Sequence, residues 1–215
     1  MTKRISFRGI EGELAEPSGS DKAPALVLVQ EWWGVNDHIR DLAERFAKEG
    51  FLVVAPDLYH GRTTKDATEA GKWMTELDTL AAVEEIGATL AYLKEHPRSN
   101  GQVGVTGFCL GGALTLASAA HLPVAAAVAF YGIPPAEKAD LSKITAPVMM
   151  HVGKKDNWVT PERAEGVKKK VPGLELHLYD ADHAFANDTR PEVYDAASAK
   201  LAWERTVAFL KKHLA

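Results

Sequence analysis

Short apolar runs alternate along the chain with longer stretches whose apolar positions recur every third or fourth residue. That is the pattern of a mostly parallel sheet covered by helices. The buried-strand runs are ALVLVQ (25–30), FLVVAP (51–56), QVGVTG (102–107), VAAAVAFYG (124–132), PVMMHVG (147–153) and LELHLYD (174–180). The opening RISFRG and GELAEP read as a weaker, hairpin-like pair at the sheet edge.

The helical stretches lie between these runs. In NDHIRDLAERFAKEG, Ile39, Leu42, Phe46 and Ala47 share a face, with Asn36 as cap and Gly50 as stop. Val83, Ile86, Leu90 and Leu93 repeat in the same way before Pro97. Ala199, Trp203, Val207, Leu210 and Leu214 form a stripe that packs a C-terminal helix on the sheet. There is no repeat and no linker long enough to split the chain, so residues 1–215 are expected to form one domain. Segment 59–79 interrupts the strand–helix rhythm and is a candidate lid or site wall.

Composition narrows the class. A net charge of −4 and a pI near 6.1 argue against nucleic acid. No apolar run approaches the roughly 18 residues of a membrane span. The N-terminus lacks the apolar core of a signal peptide, and the lone cysteine excludes an internal disulfide. The expected compartment is the cytoplasm, where a thiol stays reduced.

That cysteine, Cys109, stands in GVTGFCLGG, where the strand run ends and the helix-forming LGGALTLASAAH begins. A strand, a sharp glycine-flanked turn and a helix make a nucleophile elbow, which lifts a side chain above the strand ends. The helix start supplies N–H groups, so the Leu110 N–H points toward a developing oxyanion. A small buried core cysteine is the plainer alternative.

A thiol nucleophile needs a base and an orienting acid. His151 and His177 fall inside strand runs, and His213 lies on the terminal helix, where it is expected to be solvated. His183, in YDADHAFAND, falls in the loop after the last strand, where a base belongs. Asp156 follows a strand by a short loop. Asp180 and Asp182 sit too near His183 in sequence to reach its Nδ1 and are read as loop-shaping. Cys109, Asp156 and His183 thus each follow a strand end, where ligands bind in open α/β sheets.

Four stretches together, QEWWGVNDHIRDLAERFAKEGFLVVAPDLY, GVTGFCLGG, VGKKDNWV and YDADHAFAND, resemble the dienelactone hydrolase (carboxymethylenebutenolidase) family over nearly the whole chain. The resemblance implies an α/β-hydrolase fold, a three-layer sandwich with a mostly parallel central sheet flanked by helices. It implies a catalytic triad of Cys109, Asp156 and His183, with Glu31 pairing the thiol at rest. The backbone N–H of Trp32 matches a second oxyanion donor beside that of Leu110. Read from the residues alone, Glu31 is either this partner or a solvated carboxylate. Trp33 and Tyr131 either line the pocket or pack in the core.

One departure bears on substrate. Family members that open dienelactone place an arginine four residues after the histidine, where this chain has Asn187 in HAFAN. Arg62 or Arg190 takes that role, or each is a solvated surface charge. The pocket candidates are therefore Trp33, Tyr131, Arg62, Phe185 and Asn187. The implied activity is opening of an enol lactone or activated ester through a cysteine acyl-enzyme. The rivals are a general carboxylesterase or thioesterase and a non-catalytic ligand binder.

Dispersed histidines argue against a metal, and no phosphate-binding loop appears. No cofactor is implied. The expected partner is a small-molecule ester or lactone, with the chain a monomer or small homo-oligomer.

Overall fold

In the computed structural model, which covers residues 1–215, the apolar runs become the strands of one eight-stranded sheet. In chain order they are β1 (Lys3–Phe7), β2 (Ile10–Ala15), β3 (Ala23–Val29), β4 (Leu52–Pro56), β5 (Ser99–Phe108), β6 (Ala127–Phe130), β7 (Val148–Gly153) and β8 (Glu175–Tyr179). Their spatial order is β1-β2-β4-β3-β5-β6-β7-β8. The hairpin β1–β2 sits at one edge, with β2 antiparallel to β4; every other neighbouring pair is parallel.

The helices are α1 (Asp37–Lys48), α2 (Ala67–Glu76), α3 (Thr79–Glu95), α4 (Leu110–His121), α5 (Pro161–Lys170) and α6 (Ala196–Leu214). Strand periodicity assigns them to layers. On β3, Ala25, Val27 and Val29 belong to the apolar layer that includes residues of α3, α4 and α5, whereas Leu26 and Leu28 belong to the layer that includes residues of α1 and α6. Both faces of a parallel sheet are covered in this way, so its strands read as nearly continuous apolar runs. The expected three-layer α/β sandwich is therefore the observed architecture.

Helix ends follow the sequence closely. Asn36 caps α1 by accepting from the Ile39 N–H at 3.2 Å. Asn36→Ala is expected to cost about 1 kcal/mol in urea unfolding, because one first-turn N–H loses its acceptor. An unchanged midpoint would mean that water replaces the cap. The lysine run 168–170 lies exposed in the last turn of α5, where cations suit the helix dipole.

The differences are local. The run 124–132 yields only Ala127–Phe130 as strand, because Ala125 enters by a single bond to Val103 and Tyr131 leaves with φ of 37°. Segment 59–79 contains a helix, α2, which buries only Ala70 and Trp73. On α6 the buried face is Ala202, Thr206, Val207, Phe209, Leu210 and Leu214. Trp203 and Ala199 are only half-buried, with Trp203 lying 4.4 Å from the Phe46 ring. His213, expected in solvent, is half-buried against Phe209, with ring centres 4.6 Å apart.

Candidate active site

β5 ends at Phe108, and Cys109 follows with φ 57° and ψ −114°, a strained conformation for any residue with a side chain. The strain persists because the neighbours leave no alternative path. A Cβ on Gly107 would strike the carbonyl oxygen of Gly111, and one on Gly111 would strike the carbonyl oxygens of Val29 and Gln30. Strand β5, helix α4 and the end of β3 can therefore meet only through glycine. Leu110 opens α4, so its N–H is among those with no partner inside the helix.

Two loops bring the other groups to the sulfur. After β7, Lys154 N–H donates to Tyr179 at 2.7 Å and Lys155 N–H to Ala181 at 3.1 Å. These bonds tie the β7 loop to the β8 loop, so Asp156 and His183, separated by 27 residues, face each other. Asp156 is buried; its Oδ1 accepts from the N–H groups of Trp158 (2.7 Å) and Val159 (2.9 Å). Its Oδ2 lies 2.7 Å from His183 Nδ1, and His183 Nε2 lies 3.2 Å from Cys109 Sγ. Burial works to lower the His183 pKa, but the bonds to Asp156 and Cys109 outweigh it and push it up to about 10. His183 is thus held between a carboxylate and a sulfur, both of which favour the imidazolium that forms when it takes a proton.

Glu31 follows β3 and is almost wholly buried. The thiol lies on His183, whereas Glu31 Oε2 accepts from Asn187 Nδ2 at 2.7 Å. The Asn187 amide is itself oriented, since its Oδ1 accepts from the Thr189 N–H (3.0 Å) and Oγ1 (2.6 Å). Burial pushes the Glu31 pKa up to about 7, with the Asn187 bond opposing it. A neutral amide only partly offsets the cost of a buried charge.

These groups meet at a cavity of about 500 Å³. Cys109, His183, Glu31, Trp32, Trp33, Leu110 and Tyr131 all line it. Tyr131 is fully buried; burial first, then the nearby Glu31 and Cys109, raises its pKa. Met74 and Thr79 reach the cavity from 59–79, so that segment forms part of its wall.

Three pocket candidates lie elsewhere. Arg62 is exposed and stacks outside the cavity, 5.0 Å from the Trp73 ring centre. Phe185 is core, packed against Tyr131 and Tyr179. Asn187 stands behind Glu31 and is not among the lining residues. His151 bonds Tyr179 Oη at 2.8 Å and Thr206 Oγ1 at 2.9 Å, joining β7, β8 and α6; His177 stacks on it. Asp180 pairs with Lys155 in solvent, and Asp182 is exposed.

Sequence reasoning missed Trp158, Arg163 and Val193 on the cavity wall. Trp158 had a signal, an aromatic two residues past the loop acid. Val193 had none.

The chain is similar over nearly its whole length to known proteins. The model of the dienelactone hydrolase family matches residues 10–214. The chain is 36% identical to the protein called usf of Aquifex pyrophilus, covering 95% of this chain and 94% of the relative. It is 32% identical to carboxymethylenebutenolidase 1 of Cupriavidus pinatubonensis, covering 92% and 89%. A Klebsiella pneumoniae structure provisionally called a dienelactone hydrolase superposes with a TM-score of 0.88 at 28% identity, covering 98% of both chains.

Proposed function

The chain belongs to the dienelactone hydrolase family and is a hydrolase of that kind, and we propose that it opens an enol lactone or activated ester through a thioester on Cys109. The observation that carries this reading is the continuous line from sulfur to imidazole to carboxylate, 3.2 Å and then 2.7 Å, on the wall of a cavity. Those are the contacts a nucleophile, a base and an orienting acid require.

In the proposed route His183 takes the thiol proton, and the sulfur attacks the ester carbonyl. The oxyanion rests on the N–H groups of Leu110 and Trp32. Collapse expels the alcohol, which takes a proton from His183 and leaves an acyl group on sulfur. His183 then takes a proton from water; the hydroxide attacks the thioester and releases the acid, and the proton returns to sulfur. Glu31 is the thiol's second partner in this route, reached when the sulfur leaves His183 and the Glu31–Asn187 bond opens.

Sulfur makes the leaving group decide the outcome. A thiolate is a weaker base than an alkoxide, so the tetrahedral intermediate of an alkyl ester tends to expel sulfur and return substrate. An enolate or phenolate competes as leaving group, and collapse runs forward.

Intact-mass measurement after rapid acid quench of an aryl ester reaction is expected to find one acyl group on Cys109. Cys109→Ser is expected to shift the aryl-to-ethyl ester ratio of kcat/KM about tenfold toward the ethyl ester, or about 1.4 kcal/mol of relative barrier. Turnover with no adduct, under conditions where release is slow, would defeat the covalent route. A serine enzyme with the wild-type ratio would defeat the leaving-group argument.

A further inference from the structure

We propose that Glu192 holds Arg190 away from substrate, so that the cavity selects aromatic esters that carry no charge. The inference rests on the hydrolase reading above and concerns what that site accepts.

The walls favour a flat apolar ring. Trp32 meets Trp33 edge to face at 5.0 Å and Trp158 at 6.2 Å, and Met74, Ile133 and Val193 close the remaining sides. Such surfaces gain most from an aromatic group laid against them.

Arg163 and Arg190 are the two permanent cations of the lining, and each already has an acceptor. Arg163 stands exposed at the start of α5, with Nη1 on the Trp158 carbonyl. Arg190 is half-buried, its Cζ 5.7 Å from the Trp33 ring centre. Its Nε and Nη2 both lie 2.8 Å from Glu192 Oε1, so the side-on guanidinium edge is occupied and its charge is paired, leaving Nη1 as the donor still open.

Glu31 lines the same cavity, hydrogen-bonded by an amide rather than a cation, with Arg190 near enough for its charge to be felt. A substrate carboxylate would have to displace Glu192 or share Arg190 with it, and lie in the same cavity as another carboxyl. A neutral ester meets neither penalty. Glu192 is itself more than half exposed, so the pair is a modest barrier, and selectivity of about fivefold is expected.

The test compares para-acetoxybenzoate with its methyl ester, at a pH where the acid is ionised and with Cys109→Ala as blank. Both transfer an acetyl group and release a phenol, and each kcat/KM is divided by the rate of reaction with hydroxide. Wild type is expected to favour the methyl ester about fivefold. Glu192→Gln, at an exposed turn, should bring the ratio close to one. Arg190→Gln should leave the wild-type ratio in place, since the charge of that cation is already paired with Glu192.

Preference for the free acid in wild type would overturn the proposal. So would an unchanged ratio in Glu192→Gln, or a loss of acid turnover in Arg190→Gln. If neither ester is turned over above the blank, the hydrolase reading fails and this inference fails with it. Turnover of both in the wrong ratio overturns the inference alone.

Discussion

Asp156→Asn is expected to lower kcat/KM on an aryl ester by about 10³–10⁴-fold while leaving the fold intact. The fold survives because Oδ1, which accepts from the Trp158 and Val159 N–H groups, remains an acceptor in asparagine. The other branch changes sign. Where Oδ2 now lies 2.7 Å from His183 Nδ1, an amide would present N–H. The imidazole must then offer a bare Nδ1, and its proton moves to Nε2, facing the sulfur. A neutral ring in that tautomer cannot take the thiol proton.

The same exchange removes the bond that helps hold the His183 pKa at about 10. Proton NMR of the ring across pH should therefore show His183 titrating lower in the variant. Full activity in a folded Asp156→Asn enzyme would remove Asp156 from the mechanism and leave it as a loop brace.

Glu31→Gln is expected to stabilise the protein, and to do so only where the wild-type carboxyl is ionised. The folded pKa of about 7 stands above the ordinary 4.5. Between those values the native state keeps a proton that the unfolded chain has lost, so wild-type stability falls as pH rises through this window. Above it, the accumulated loss is about 3 kcal/mol.

Glutamine is never charged and still offers an oxygen to the Asn187 amide. The unfolding free energies of variant and wild type should therefore agree below pH 4.5 and diverge to that amount above pH 7. Urea unfolding on either side of the window measures it. A gap that does not grow with pH would mean that the Glu31 charge costs the fold nothing. Turnover is expected to fall in the same variant, the usual exchange when a strained functional group is relieved.

The elements were legible because their signals are local. Strand runs, the α1 cap and the glycine-flanked Cys109 each depend on residues within a turn or a strand of one another. The weak elements were those with few buried side chains. Segment 59–79 hides α2, which rests on Ala70 and Trp73. The run 124–132 overstates β6, because apolar residues continue where Tyr131 turns out of the sheet.

The site divides along the same line. Sequence order alone, with each group just past a strand, pointed to Cys109, Asp156 and His183, and the folded chain brings their side chains together. Sequence could not tell which arginine reaches the cavity. Arg62 and Arg190 are both loop residues, and only packing against Trp73 or Trp33 separates them. Nor could it join Glu31 to Asn187 across 156 positions.

The amino-acid sequence by itself determined the strands, most of the helices and the strained turn at Cys109, because periodicity, caps and glycine act between near neighbours. Tertiary structure decided which partner each polar group found and whether the cavity's cations were already taken. Those are contacts between loops distant in sequence, and only the closed sheet, with its end loops tied together, sets the distances between them.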